Sequence, residues 1–408
     1  MRGRENRSAT AKGGEVPGGK GGVSIERFDF YDFFAGGGMA RLGLGPRWRC
    51  LFANDNSEKK AQAYRVNFPP ADELNTSSVH DLTLEDLPGQ PMLSWASFPC
   101  QDLSLAGDRR GLSGERSGTF WPFWNLMAGM AKQGRPVPLL VLENVVGAIT
   151  SHNGDDFQAI LEALSEGGYV FGPMVIDAVH FVPQSRPRLF IIALRQDAHL
   201  PVDLLQSGPS DLWHPQTLRN AYEAVSYGLR QVWLWWKLPK PHPRRLSLSD
   251  VIDNNPTGVE WHTDEETKRL LGMMTEVNLK KVSEAQKLGR RAIGTVYKRT
   301  RPNKEGERTQ RAEVRFDEVS GCLRTPVGGS SRQTVIIVEG DRIRSRLLSP
   351  REAARLMGVP DSYRLPQKYN DAYHLMGDGL AVPAVSWLER HLLRPLALAN
   401  VALQSVAA

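Results

Sequence analysis

The sequence predicts an α/β protein: a doubly wound sheet with helices on both faces, plus a smaller irregular domain. Three observations carry this. Short apolar runs alternate with helical patterns from residue 26 to about 195, as such a sheet requires. The alternation then breaks, and residues 196–340 carry scattered prolines and a basic stretch. Residues 341–408 resume with a well-signalled helix and a second apolar one. The 408 residues suffice for both units at roughly 100–200 residues per domain.

Composition narrows the function. Hydrophobic content of 41% and charged content of 24% are ordinary for a soluble globular protein. Cys50, Cys100 and Cys322 stand far apart with no C-x-x-C pair, so neither a disulfide framework nor a metal site is expected. A reducing, intracellular location fits that usage. No apolar run approaches the ~18–20 residues of a membrane span, and the first residues lack a signal-peptide core. The net charge of +6 favours a polyanionic partner.

Residues 1–25, rich in Gly, Arg and Lys, read as a disordered basic tail. Arg27–Phe34 is strand-like, and Met39, Leu42 and Leu44 open a helical pattern within Ala35–Gly45. A strand that turns through Gly36, Gly37 and Gly38 into a helix brings bare backbone close to a ligand. The spacing is not the strict G-x-G-x-x-G of dinucleotide binders. The next strand, Arg49–Ala53, ends at Asn54-Asp55, where an acidic residue ~20 positions after the glycines suits ribose hydroxyls. Asp81 is a further candidate. Loop capping is the bland alternative for both carboxylates.

Leu93–Phe98 is a short apolar strand ended by Pro99, so Cys100 lies just past its carboxyl end, where open sheets form a crevice. A thiol there is a nucleophile if its pKa is lowered, and otherwise a small buried apolar residue. A glycine-punctuated polar loop follows. Thr119–Gln133 reads as an amphipathic helix with a proline in its first turn. Pro138–Leu142 is a buried strand delivering Glu143-Asn144-Val145. Desolvation favours the neutral carboxyl there, which makes Glu143 an acid–base candidate, with capping as the alternative.

Phe157–Leu164 looks helical and Tyr169–Val179 looks like a strand. In HFVPQSRPR, Arg186 and Arg188 alternate, so on a strand both face one side, suited to phosphate or base contact or to plain solvation. The tryptophans of Val232–Leu238 read as core of the smaller domain. From Lys287 to Arg315 ten Lys/Arg stand against three Glu, an excess that fits phosphate neutralisation. Cys322–Gln333 is a Gly-rich loop whose Arg324 and Arg332 can reach a groove. Ser349–Gly358 opens with an N-cap serine, a proline and Glu352 three residues on. His374–Leu388 reads as a Gly-Asp-Gly turn leading into a helix that Pro383 tolerates only near its start. Cys50 and Cys322 read as buried.

Seven pieces together resemble the cytosine-5 DNA methyltransferases: DFFAGGGMARLGLG (32–45), ANDNS (53–57), SFPCQDLSLAG (97–107), LENVVG (142–147), QSRPRL (184–189), RLLSPREAARLMGVPD (346–361) and GDGLAVPAV (377–385). They occur in the family's order. The resemblance implies a Rossmann-like, S-adenosylmethionine-dependent methyltransferase sheet over 26–195 and 341–408. It makes 196–340 the target-recognition domain, with base reading by loops within 287–333. It implies that Cys100 adds to carbon 6 of a flipped cytosine while Glu143 steadies ring nitrogen 3. Arg188, with Arg186 as second candidate, would anchor base and carboxylate, and the loop from 101 to 118 would close over them. Cofactor contacts would come from Phe34, Ala35, Gly36, Gly37, Gly38, Asp55, Asn56, Asp81, Pro99, Asp378 and Leu380. DNA contacts would come from Gln101, Ser104, Arg324 and Arg332.

The implied cofactor is S-adenosyl-L-methionine and the implied partner is double-stranded DNA. The resemblance leaves two roles open: the modification half of a restriction system, with an endonuclease acting on the same site as a further partner, or a solitary enzyme that marks DNA. No membrane and no stable protein partner is implied, and the expected location is the cytoplasm, on the nucleoid in a bacterium. One departure stands out: Asp378 occupies a turn where the family commonly has Asn, and a carboxylate cannot donate as an amide does. Three other readings compete. An RNA-acting relative would carry Thr in place of Gln101 and a smaller recognition domain. A silent DNA-binding relative would not need Cys100, Glu143 and Arg188 intact. A dinucleotide dehydrogenase leaves Pro99-Cys100-Gln101 unexplained.

Overall fold

The computed structural model of the chain describes residues 26–99, 118–302, 308–325 and 332–404. The 1–25 tail, the loop opening at residue 101, and Cys100, Gln101 and Ser104 lie outside the described residues. Seven strands build the main sheet: β1 Phe28–Phe33, β2 Trp48–Asn54, β3 Leu74–Asn75, β4 Leu93–Ala96, β5 Leu139–Val145, β6 Tyr169–Asp177 and β7 Pro187–Arg195. Their order is β3-β2-β1-β4-β5-β7-β6. All neighbours are parallel except β7, which runs antiparallel to both β5 and β6. The chain therefore winds outward from β1 to β3 and restarts on the other side at β4. The β1/β4 boundary is the switch point where open sheets bind ligands.

Alternate residues feed two cores, as the two-residue repeat of a strand demands. Phe28, Phe30, Trp95, Leu139 and Val141 face one layer; Tyr31, Phe33, Ala96, Leu140 and Leu142 face the other. The expected helix at 119–133 is observed as Phe120–Lys132, with Phe120, Phe123 and Trp124 buried against the second layer. The 349–358 signal is also realised. Ser349 caps the helix Pro350–Leu356 in a reciprocal capping box with Glu352. Glu352 further makes a fully buried two-point pair with Arg346, at 2.6 and 2.8 Å.

A second, antiparallel sheet follows: β8 Ala292–Pro302, β9 Arg308–Arg315, β10 Thr334–Glu339 and β11 Arg342–Leu347, in the order β11-β10-β8-β9. The helices Asp264–Gly272 and Glu276–Lys287 line one of its faces. Three readings need correction. The tryptophans of 232–238 are buried, but against the main sheet. Trp236 donates to Gly172 O on β6 at 3.0 Å, and Trp233 packs edge-on against Phe171 at 5.9 Å. The β5 strand runs through Glu143 to Val145, where the sequence ended it at Leu142. Gly377 and Asp378 close the helix Tyr369–Asp378 and are not yet the turn, and Val382–Leu388 follows with Pro383 in its first turn.

Candidate active site

The glycine segment leaves β1 at the switch point. Phe34, at φ 59°, and Gly36, at φ 56°, both take the left-handed conformation; a side chain resists it, and Phe34 adopts it where the strand must turn sharply. A Cβ on Gly37 would meet the Tyr363 hydroxyl at 2.5 Å, and one on Gly38 would meet Phe68 at 2.3 Å. A Cβ on Gly36 would meet nothing within 4 Å among the described residues. The turn is thus packed from behind and bare in front, which fits a ligand approaching the backbone. Asp55, at the end of β2, holds the turn: one oxygen accepts from Gly36 N–H at 2.9 Å, the other from Ser57 N–H at 2.9 Å. Ala35 is buried, Asn56 is exposed beside Asp55, and Asp81 is exposed on the loop after β3.

The catalytic candidates among the described residues stand on β5 and β7 of the same sheet. Glu143 on β5 pairs across the ladder with Phe190, so Arg188, two residues from Phe190 on the same face, lies diagonally opposite. Arg188 Nε stands 3.3 Å from Glu143 Oε1. Glu143 is 7% exposed. Burial pushes its carboxyl above the ordinary range, although Arg188, Arg186 and a hydrogen bond from Ser97 oppose the shift. Asn144 donates to Phe98 O at 3.1 Å. It thereby ties the end of β5 to the backbone that continues through Pro99 toward residue 100.

Arg186 differs from the two-arginine face expected. It precedes β7, is 2% exposed, and turns its guanidinium into the seam between three segments. It donates to Leu323 O at 2.9 Å, Gly377 O at 2.8 Å and Gly379 O at 2.6 Å, with Cys322 Sγ at 3.4 Å. Burial, then the charge of Arg188, lowers its pKa to about 10. Gln184 reinforces the seam by donating to Leu356 O at 2.8 Å and accepting from Leu323 N–H at 2.9 Å. Cys322, read from sequence as simply buried, belongs to this cluster. Burial would raise its thiol, but Arg186, Arg188 and Arg324 together leave it lowered. No spacing in the sequence links residue 322 to 186; only a motif for the 320s loop would have done so.

The Asp378 departure has a local answer. Its carboxylate pairs with Lys60 Nζ at 3.0 Å and accepts from the Thr325 hydroxyl. Burial would raise its pKa, but Lys60 and Thr325 outweigh that and hold it below the usual carboxylate range. Leu380 is buried directly after this turn. Of the two expected DNA-contact arginines within the described residues, Arg324 is exposed, whereas Arg332 is held by Asn370 at 2.5 Å and lies over the Tyr369 ring.

Relatives match most of the chain's length. A type II methyltransferase of Bacillus sp. strain RFL6, M.Bsp6I, is 32% identical over 372 residues, covering 89% of this chain and 98% of its own. M.BsuFI of Bacillus subtilis is 25% identical over 378 residues, covering 92% and 75%. The fold matches that of a crystal structure of the S. pombe Dnmt2 methyltransferase, with a TM-score of 0.55, 18% identity, and 91% and 99% of the two chains covered. The family profile of the C-5 cytosine-specific DNA methylases spans residues 28–394, and the chain belongs to that family.

Proposed function

We propose that the protein transfers the methyl group of S-adenosylmethionine to carbon 5 of a cytosine flipped out of duplex DNA. The observation that carries this is the buried Glu143–Arg188 pair at the carboxyl end of β5, tied by Asn144 to the strand that leads into Pro99 and Cys100. Cytosine carbon 5 is a poor nucleophile. Addition of the Cys100 thiolate at carbon 6 shifts electron density onto carbon 5 and nitrogen 3. Glu143, whose burial makes its carboxyl hold a proton more tightly than an exposed one, offers that proton to nitrogen 3 as charge develops there. Arg188 keeps the carboxyl oriented and reaches the base. Once carbon 5 carries the methyl group, a water or hydroxide takes its proton, the electron pair left behind reforms the double bond between carbons 5 and 6, and the carbon 6–sulfur bond breaks to release the Cys100 thiolate. The reacting carbon is inaccessible inside a duplex, so the base must leave the stack.

The residues present fit the cofactor. The face of Gly36 open among the described residues admits it, Asp55 would stand at the ribose position, and the segment 377–380, where the helix Tyr369–Asp378 ends, would take the methionine end with Lys60. When bound, S-adenosylmethionine supplies an electrophilic methyl. We place target recognition in the second sheet and its flanking loops. The relatives' type II naming supports a role in restriction and modification, with an endonuclease that cuts the same site.

Methyl transfer from labelled S-adenosylmethionine to duplex DNA tests this, with bisulfite sequencing of DNA from a host expressing only this protein. Cys100→Ser is expected to abolish transfer and covalent trapping on 5-fluorocytosine DNA. Preferential methylation of tRNA over duplex DNA would overturn the substrate assignment.

A further inference from the structure

The β8–β9 pair outruns its sheet. β8 pairs with β10 only over Ala292–Val296, while its pairing with β9 continues to Pro302. Residues 297–302 and 308–313 therefore form a two-stranded antiparallel ribbon beyond the sheet. Side-chain alternation fixes which way each face looks. Val296, Ala312 and Val314 point to the helices behind. Ile293, Val335 and Ile337, on the opposite face, belong to the core shared with the main sheet. Arg315, in register with Thr295 on that face, feels the charge of Asp177 at the end of β6. The continuation of this face along the ribbon carries Tyr297, Arg299, Arg311 and Glu313, and so opens on the side of the catalytic unit.

Two arginines face each other there. Arg299 and Arg311 are direct cross-strand partners, and like charges directly opposite destabilise a ladder. Compensation among the described residues is thin. Glu313 is 3.9 Å from Arg299 and already accepts from the Tyr297 hydroxyl at 2.6 Å. Arg299 also lies over the Tyr297 ring at 4.7 Å. Arg311 has no ion-pair partner among the described residues. A repulsive pair on a protruding ribbon is relieved by an external polyanion such as the phosphate backbone of a duplex.

We propose that this ribbon face seats the phosphate backbone of duplex DNA against the catalytic unit, with Arg299 and Arg311 each neutralising one phosphate. The inference rests on the DNA methyltransferase reading. Its test uses the full chain and a fluorescent duplex that wild type methylates, with binding titrated across salt concentrations. Arg299→Gln and Arg311→Gln are each expected to flatten the plot of log affinity against log salt by about 0.9, and the double variant by about twice that. Ranking among DNA sequences should not change. Arg299→Lys with Arg311→Lys should retain the slope, and Lys280→Gln, on the exposed helix behind the sheet, should not alter it. Thermal stability of the double Gln variant should be equal or higher, since a repulsion is removed. An unchanged slope and affinity in the double variant overturns the proposal and leaves methylation intact. A changed sequence preference with an unchanged slope overturns it too, moving these arginines to base edges. Failure of wild type to bind or methylate duplex DNA sinks the underlying reading instead.

Discussion

Replacing Arg186 by lysine separates two roles that the motif alone leaves merged. The guanidinium spans three carbonyls, Leu323 O on one side and Gly377 O and Gly379 O on the other, at 2.6–2.9 Å. A lysine keeps the charge but offers a single point of donation in place of a planar fork. It can satisfy one side of the seam, which leaves one or two carbonyls buried without a donor. At ~1–3 kcal/mol for each orphaned group, the cost is about 2–4 kcal/mol. It falls on the turn proposed to take the methionine end of the cofactor and on the 322–323 segment. Carried into cofactor binding, even the lower end weakens the affinity for S-adenosylmethionine by about tenfold or more. Calorimetric titration with the cofactor, alongside turnover at saturating cofactor and DNA, reads the two roles apart. A raised KM for cofactor with kcat near wild type is the expected result. An unchanged cofactor affinity with a depressed kcat would refute the reasoning and place Arg186 on the reacting base.

Three further outcomes are expected. Glu143→Gln preserves shape but removes the transferable proton, so methyl transfer should fall by about 10²–10⁴-fold; wild type should also lose rate as pH rises and its raised carboxyl ionises, and a pH profile of the variant lacking that limb checks this. Asp32 on β1 is 1% exposed, with Oδ2 unpartnered, and burial, opposed by Arg41 and aided by Asp55, pushes its pKa up to about 8. The folded state thus keeps a proton that the unfolded chain releases near its ordinary pKa of 3.8, so this contribution to stability is whole below that pH and lost as pH rises toward 8. Asp32→Asn should therefore gain on wild type by about 1 kcal/mol per pH unit across that window, and parallel denaturant midpoints at pH 5 and pH 8 would refute it. Glu352→Ala strands the fully buried Arg346 and should cost about 3–5 kcal/mol in urea unfolding.

What was legible in the sequence is what local chemistry writes. Ser349, Pro350 and Glu352 announce a helix start because each acts within one turn, and the capping box forms as they indicate. Glu143 was readable because an apolar run ends in a carboxylate. Strand direction was not: the two-residue repeat of β7 is the same whether it runs parallel or antiparallel, and only pairing with β5 and β6 decides. The tryptophans of 232–238 read as core correctly, but a burial signal does not name its partner, and β6 lies some sixty residues away.

The same limit explains the candidate side chains that pattern reading misplaced. Arg186 and Arg188 share a motif and a charge, and alternation treats them alike. The strand begins only at Pro187, so Arg186 is free to leave the ladder and join segments near residues 323 and 377. Asp378 makes the converse point. Taken as one letter it removes a hydrogen-bond donor from the turn. In space Lys60, from the helix that follows Asp55, brings an ammonium to within 3.0 Å of it, restoring donors and neutralising the carboxylate at once. A departure from a family pattern at one position is therefore not a loss of function until its neighbours have been located, and here the compensating residue lies more than three hundred positions earlier in the chain.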